Sequence, residues 1–129
     1  MSLKEKIRIM VVDDMTVSRG LLTMGLEKIG IKNVVPLDHA HKALKALETT
    51  PAHLIISDFN MPDMDGLDFL LALRKNQKTQ RLGFIMVSGT LNPTIVDLGK
   101  RLGMNNFLKK PFNDAQLKQC VESVTGNLG

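Results

Sequence analysis

The stretch Ile7-Arg8-Ile9-Met10-Val11-Val12-Asp13-Asp14 decides the architecture: a short, nearly continuous apolar run that stops on two consecutive carboxylates. A run this short, rich in β-branched residues and lacking the alternation of a half-exposed strand, reads as a strand covered on both faces, which is the environment of a parallel sheet. The same style returns at Val34-Val35-Pro36-Leu37, Leu54-Ile55-Ile56-Ser57, Phe84-Ile85-Met86-Val87-Ser88 and Asn106-Phe107-Leu108. Between these runs the apolar spacing becomes helical. Leu22, Leu26 and Ile29 share one face, as do Ala40, Leu44 and Leu47; then Ile95, Leu98 and Leu102; then Leu117, Val121, Val124 and Leu128. Gly66 to Asn76 carries leucines on more than one side and is expected to be the most enclosed helix.

Turn and cap residues agree with that division. Asp38 is placed to cap the second helix and Thr49-Thr50-Pro51 to end it. Asn92-Pro93 reads as a cap followed by proline at the first helical position. Gly30 and Gly103 fall where helix ends call for a left-handed residue. The predicted order is β-α five times over, an α/β arrangement in which helices cover both faces of a parallel sheet. Gly20 and Gly25 interrupt the first long helix, and the sequence leaves open whether close packing or a softened helix explains them.

Size and composition bound the function classes. The 129 residues suit one domain, 1–129, and 43% hydrophobic residues suffice for a core. With one cysteine, Cys120, no internal disulfide forms, and a reducing, cytoplasmic location is expected. No apolar run is long enough for membrane insertion, and the first residues lack the apolar stretch of a signal peptide. The net charge of +4 comes from lysines and arginines spread over every segment; Trp and Tyr are absent, so no stacking platform for nucleic acid is expected.

In open α/β sheets ligands bind beyond the carboxyl ends of the strands. Asp13 and Asp14 follow the first strand here, Asp58 the third, Ser88-Gly89-Thr90 the fourth and Lys110-Pro111 the fifth. Three carboxylates brought together repel one another unless a cation intervenes. An all-oxygen donor set without His or Cys selects a hard ion, and Mg²⁺ suits a few carboxylates completed by water and phosphate. Such an arrangement leaves a carboxylate oxygen free to attack a phosphoryl group, a transfer that needs positioning and charge neutralisation above all. Lys110 and Ser88 supply donors to the phosphoryl oxygens, and Gly89 leaves an approach path.

Together these residues resemble the receiver domain of two-component response regulators, in particular stand-alone receivers of the chemotaxis type. The likeness runs from about Lys4 to Leu128. It rests on Asp13-Asp14, on Asp58 followed by Asn60, Met61, Pro62, Met64, Asp65 and Gly66, on Ser88, and on Lys110-Pro111-Phe112. It implies a flavodoxin-like (βα)5 fold with strand order 2-1-3-4-5. It makes Asp58 the phosphoacceptor for a histidine kinase, with Mg²⁺ held by Asp13 (largely through water), Asp14, Asp58 and the Asn60 carbonyl. Lys110 and Ser88 then contact the phosphate, while Ser88 and Phe107 form a switch. Gly89, Thr90 and Pro111 are supporting residues: Thr90, with Asn60, lines the path of the attacking water, and Lys110-Pro111 is expected to be cis.

A flagellar motor switch protein is the implied docking target of a monomeric chemotaxis receiver. The alternatives are a phosphate sink or relay, or a receiver belonging to a longer regulator. A Mg²⁺-dependent phosphatase with Asp13 as nucleophile is disfavoured by Met15, which stands where a second aspartate is wanted. A flavin site is disfavoured because Asp13-Asp14 repels a phosphate. Outside the rim the expectations are plain. Lys109, His39, His41 and His53 are solvated or capping, with the histidines away from the acidic rim. Cys120 is buried packing, and the methionines are mostly core, with Met61 and Met64 partly exposed.

Overall fold

In the computed structural model, which describes residues 2–90 and 92–128, successive positions of the central strands enter two different cores. The strands are β1 (Arg8–Val12), β2 (Asn33–Leu37), β3 (Leu54–Asp58), β4 (Gly83–Ser88) and β5 (Asn106–Lys109). All pair in parallel, in the order β2-β1-β3-β4-β5. Because side chains alternate across a strand, Ile9 and Val11, Leu54 and Ile56, and Ile85 and Val87 share one core, while Met10, Val12, Ile55, Phe84 and Met86 fall in the other. Helices α2 (Thr16–Lys28) and α6 (Asp114–Thr125) close the first core; α3 (Ala40–Leu47), α4 (Gly66–Lys75) and α5 (Pro93–Arg101) close the second. Each large apolar side chain buried this way contributes about 1.5–3 kcal/mol. Phe69 of α4 meets Phe84 of β4 edge to face, with ring centroids 5.9 Å apart.

Several expectations are corrected. A one-turn helix, α1 (Leu3–Lys6), precedes β1 and was not read from the sequence. The runs forming β2 and β5 are half-exposed rather than covered on both faces, because these strands lie at the sheet edges; Pro36 is accordingly tolerated in β2. Asp38 does not cap α3: the N-cap is His39, and the Asp38 carboxylate pairs with His39 and, at 2.8 Å, with Lys42. In α5 it is Gly99 that turns fully inward, leaving Leu98 exposed. Leu128 is buried, though it lies beyond the end of α6. Met61 is buried rather than partly exposed, and Met15 and Met24 are exposed, while Met10, Met86 and Met104 are core and Met64 is half-buried as expected. The Asn92 cap with Pro93, the positive φ of Gly30 and Gly103, and the burial of Cys120, whose thiol burial pushes up to about 11, are as expected. Helix α4 carries four buried positions, Gly66, Phe69, Leu70 and Leu73, the most of any helix among the described residues.

Register is what positions the chemistry. Val12 pairs with Ser57, Asp58 with Val87 and Ser88 with Lys109. The ladder continues through Asp13 N–H to the Leu37 carbonyl and Lys110 N–H to the Ser88 carbonyl, both at 3.0 Å. The carboxyl ends of β1, β3, β4 and β5 therefore open on one rim. No helix among the described residues is long and apolar enough to cross a membrane.

The two glycines of α2 differ in kind. A Cβ on Gly25 would sit 2.7 Å from Leu117 Cδ2, a fully buried side chain of α6, whereas a Cβ on Gly20 meets nothing within 4 Å. Close packing explains Gly25; nothing in the structure explains Gly20. Gly20→Ala is expected to gain about 0.5–1 kcal/mol in urea unfolding from helix propensity. Gly25→Ala is expected to lose about 1 kcal/mol from overpacking. Equal gains at both positions would remove the packing explanation.

Candidate functional site

Asp13 and Asp58 are buried, Asp14 is half-buried, and one carboxylate oxygen from each lies within 4.8 Å of the others. Lys110 reaches across from the end of β5, its Nζ 3.2 Å from Asp58 Oδ1 and 3.5 Å from Asp13 Oδ2. Three carboxylates face one ammonium, so the site holds an excess of negative charge in partly dry surroundings. Burial pushes the Asp58 carboxyl above the usual carboxylate range; the Lys110 charge opposes this and the Asp13 charge adds to it.

The three aspartates are not equivalent. Asp13 is spoken for within the chain: Oδ1 accepts Met15 N–H at 3.0 Å, Oδ2 accepts the Ser18 hydroxyl, and the carbonyl accepts Arg19 Nη1 at 2.8 Å. Asp14 is the opposite case, with a buried Oδ1 that has no hydrogen-bond partner among the described residues. Orphaned buried carboxylate oxygens are costly and call for an unseen partner. An all-oxygen set with surplus negative charge and one orphaned oxygen fits a hard divalent cation such as Mg²⁺.

The other expected residues gather on the same rim. Asn60 is exposed in the loop after β3, and its carbonyl accepts no hydrogen bond among the described residues. Ser88 is buried; its hydroxyl lies 3.1 Å from the Thr90 hydroxyl and accepts Thr90 N–H at 3.1 Å, and no hydrogen bond among the described residues joins it to Asp58. A Cβ on Gly89 would meet only Lys110 Cβ, at 4.0 Å, so the space over it is open. The Lys110-Pro111 bond is cis, as expected, and Lys109 is exposed. Phe107 on β5 is 38% exposed, its ring turned outward.

Three side chains of this region were not singled out from the sequence. Ser18 and Arg19, in the first turns of α2, bind the Asp13 side chain and carbonyl. The signal was a hydroxyl one helical turn beyond the acidic pair. The third is Asp63, in the loop after β3, which is joined to His41 of α3. Beside the rim, Met15 at the N-cap of α2 and Val17, Leu21 and Met24 on it form an exposed apolar stripe that, with Phe112, lines a groove reaching Lys110.

Residues 9–122 match the response regulator receiver domain. The chain belongs to that family, whose receiver domains are signalling switches. It is 40% identical to the probable chemotaxis protein CheY of Rhizobium etli, over 99% of each chain. It is 29% identical to chemotaxis protein CheY1 of Helicobacter pylori over 92% of this chain and 97% of that one. The crystallised chemotaxis protein CheY4 of Vibrio cholerae superposes with a TM-score of 0.85 at 28% identity, covering 92% of this chain and 98% of the other.

The raised Asp58 pKa fixes the sign of a stability effect in the metal-free protein. Between the unfolded value of about 4 and the raised native value, the native state binds more protons, so stability falls as pH rises through that window. In EDTA at neutral pH, Asp58→Asn is expected to be more stable than the parent by about 1 kcal/mol, the order of one polar-group desolvation. That advantage should vanish toward pH 4 in urea titrations. A less stable variant at neutral pH would show that Lys110 outweighs burial.

Proposed function

We propose that the protein is a phosphorylatable receiver in which Asp58 accepts a phosphoryl group from a histidine kinase with Mg²⁺ bound at Asp13, Asp14, Asp58 and the Asn60 carbonyl. The observation that carries this reading is the convergence of Asp58 with Asp13, Asp14 and the Lys110 ammonium, 3.2 Å from its Oδ1. An Asp58 oxygen attacks phosphorus of the phosphohistidine. The new O–P bond forms as the P–N bond breaks, and the imidazole nitrogen leaves with the electron pair and takes a proton. Bound Mg²⁺ would supply neutralisation of phosphoryl-oxygen charge. Lys110 holds a second oxygen, and Ser88, released from Thr90, donates to a third. Hydrolysis returns the carboxylate when water attacks phosphorus between Asn60 and Thr90 and inorganic phosphate departs.

Signalling follows from the same hydroxyl. Ser88 leaving Thr90 opens space at the end of β4 beside β5, where the exposed Phe107 ring turns inward and reshapes a docking surface. The similarity to chemotaxis proteins over nearly the whole chain supports a chemotaxis role, with a flagellar motor switch protein as the target. We read the chain as one monomeric, cytoplasmic domain with no nucleic-acid partner.

Acetyl phosphate with Mg²⁺ is expected to give a base-labile adduct on Asp58 that Asp58→Asn abolishes; turnover of phosphate esters without that adduct would overturn the reading. Because the chain has no Trp or Tyr, Phe107→Trp reports the switch alone. Its emission is expected to shift blue with Mg²⁺ and beryllofluoride. Adding Lys110→Ala should leave labelling by acetyl phosphate at least partly intact but remove the shift; a full shift in that variant would remove Lys110 from the switch.

A further inference from the structure

Beyond the bond from Phe59 N–H to the Val87 carbonyl, the loop from Phe59 to Asp65, which carries Asn60, is fastened at three places. At its base Gly66 N–H donates to the Phe59 carbonyl at 2.8 Å. A Cβ on Gly66 would lie 3.1 Å from both the Asp58 carbonyl and Phe59 Cα, so only glycine permits that closure without a shift. In the middle, Met61 is buried in the core beneath α3 and α4. The third fastening is polar. Asp63 Oδ2 accepts the His41 backbone N–H at 2.9 Å and lies 2.8 Å from His41 Nδ1.

His41 stands in the first turn of α3, whose N-cap residue, His39, makes no side-chain capping bond. Asp63 therefore caps α3 from a different segment of the chain. Burial alone would push the Asp63 carboxyl up, but the hydrogen bonds from the His41 backbone and ring and from Met64 N–H win and hold it below the usual range. Its other oxygen, Oδ1, is buried with no hydrogen-bond partner among the described residues, so the side chain is held through Oδ2, where the bonds to His41 are the ones that reach another segment of the chain.

We propose that Asp63 is a positioning residue that, through His41, locks the β3–α4 loop to the N-terminus of α3 and so holds Asn60 in place to complete the cation site beside Asp58. It acts at a distance, since neither Asp63 nor His41 touches the reacting carboxylate. The inference rests on the proposed phosphoacceptor reading, and the test separates the two.

Parent, Asp63→Ala, Asp63→Asn, His41→Ala and the Asp63→Ala/His41→Ala double variant would be compared in the metal-free state by amide hydrogen exchange. Mg²⁺ affinity by calorimetry and Mg²⁺-dependent acetyl phosphate labelling would follow. In Asp63→Ala the His41 amide is expected to exchange at least about tenfold faster, with loop amides following. Half-saturating Mg²⁺ should rise roughly tenfold, as for loss of a partner that orients a ligand, with the maximal labelling rate changed less. Asp63→Asn, which keeps an acceptor for the His41 amide, is expected to recover part of both effects. His41→Ala should raise half-saturating Mg²⁺ about threefold, and the double variant should be no worse than Asp63→Ala, because the two side chains act as one unit. Lower thermal stability in Asp63→Ala with unchanged Mg²⁺ affinity would reduce Asp63 to a helix cap and overturn the proposal. Failure of the parent itself to label on Asp58 would instead overturn the phosphoacceptor reading.

Discussion

Everything at the rim follows from confining Asp13, Asp14 and Asp58 where water cannot fully solvate them. In a parallel sheet every strand delivers its carboxyl end to the same edge, and the register of β1 against β3 brings Asp13 level with Asp58. Carboxylates so placed repel one another more strongly than in water, and burial disfavours their charged forms further. The chain answers with the Lys110 ammonium, which lies nearer Asp58 than Asp13, and with two hydrogen bonds that favour Asp13 over its neighbours, from the Ser18 hydroxyl and the Met15 amide. Asp58 and Asp14 are left the less satisfied members, one with a raised pKa and one with an orphaned oxygen. A site stabilised only in part is a site with affinity to spare for a cation or an added group.

That partial satisfaction divides the labour among the segments. The buried core, with strands that are nearly solvent-free, supplies rigidity that the acidic cluster itself cannot supply. The loops supply adjustment: the segment after β3 is fastened at its base, by Met61 and by Asp63, while Thr90 in the segment after β4 is tied to Ser88 through its hydroxyl and its N–H. The better-fastened loop carries the proposed cation ligand, and the hydroxyl proposed to move, that of Ser88 at the end of β4, borders the other. Lightly held elements are where conformational change is cheapest.

What the sequence made legible, and what it hid, follows from the range of each interaction. The central strands were readable because burial on both faces writes a continuous apolar run, and the site because its residues terminate those runs. Edge placement was not readable, since Val34-Val35 and Phe107-Leu108 look like Ile55-Ile56 until the strand order is known. The rotation of α5 that exposes Leu98 depends on Gly99 lying against Met104, whose Sδ would be 2.9 Å from an added Cβ, and no helical periodicity predicts an inward glycine. The Asp63–His41 bond spans 22 residues and joins two short polar side chains, so it leaves no periodic trace at all. Ser18 was closer to legible, being five residues from Asp13 on an adjoining helix.

The proposed switch also has to satisfy an energetic constraint. Exchanging the Ser88–Thr90 contact for a bond to a charged phosphoryl oxygen trades a neutral hydrogen bond, worth about 0.5–1.5 kcal/mol, for a charge-assisted one about twice as strong. The gain of roughly 1 kcal/mol is far short of the approximately 5.5 kcal/mol that carries a two-state equilibrium from 1:99 to 99:1. Ser88 alone therefore biases the equilibrium without deciding it. The remainder has to come from groups that meet the phosphoryl oxygens on the same strand edge. Lys110 is the one already in place: its backbone N–H is bonded to the Ser88 carbonyl and its ammonium to Asp58. In the proposed switch a lysine drawn from Asp13 toward the phosphoryl group would pull on the end of β5, three residues beyond Phe107. Burial of that ring, which is 38% exposed here, would add apolar stabilisation on the order of 1 kcal/mol to the proposed phosphorylated arrangement. In the proposed switch the contributions of Ser88, Lys110 and Phe107 would all bear on one pair of adjacent strands, β4 and β5.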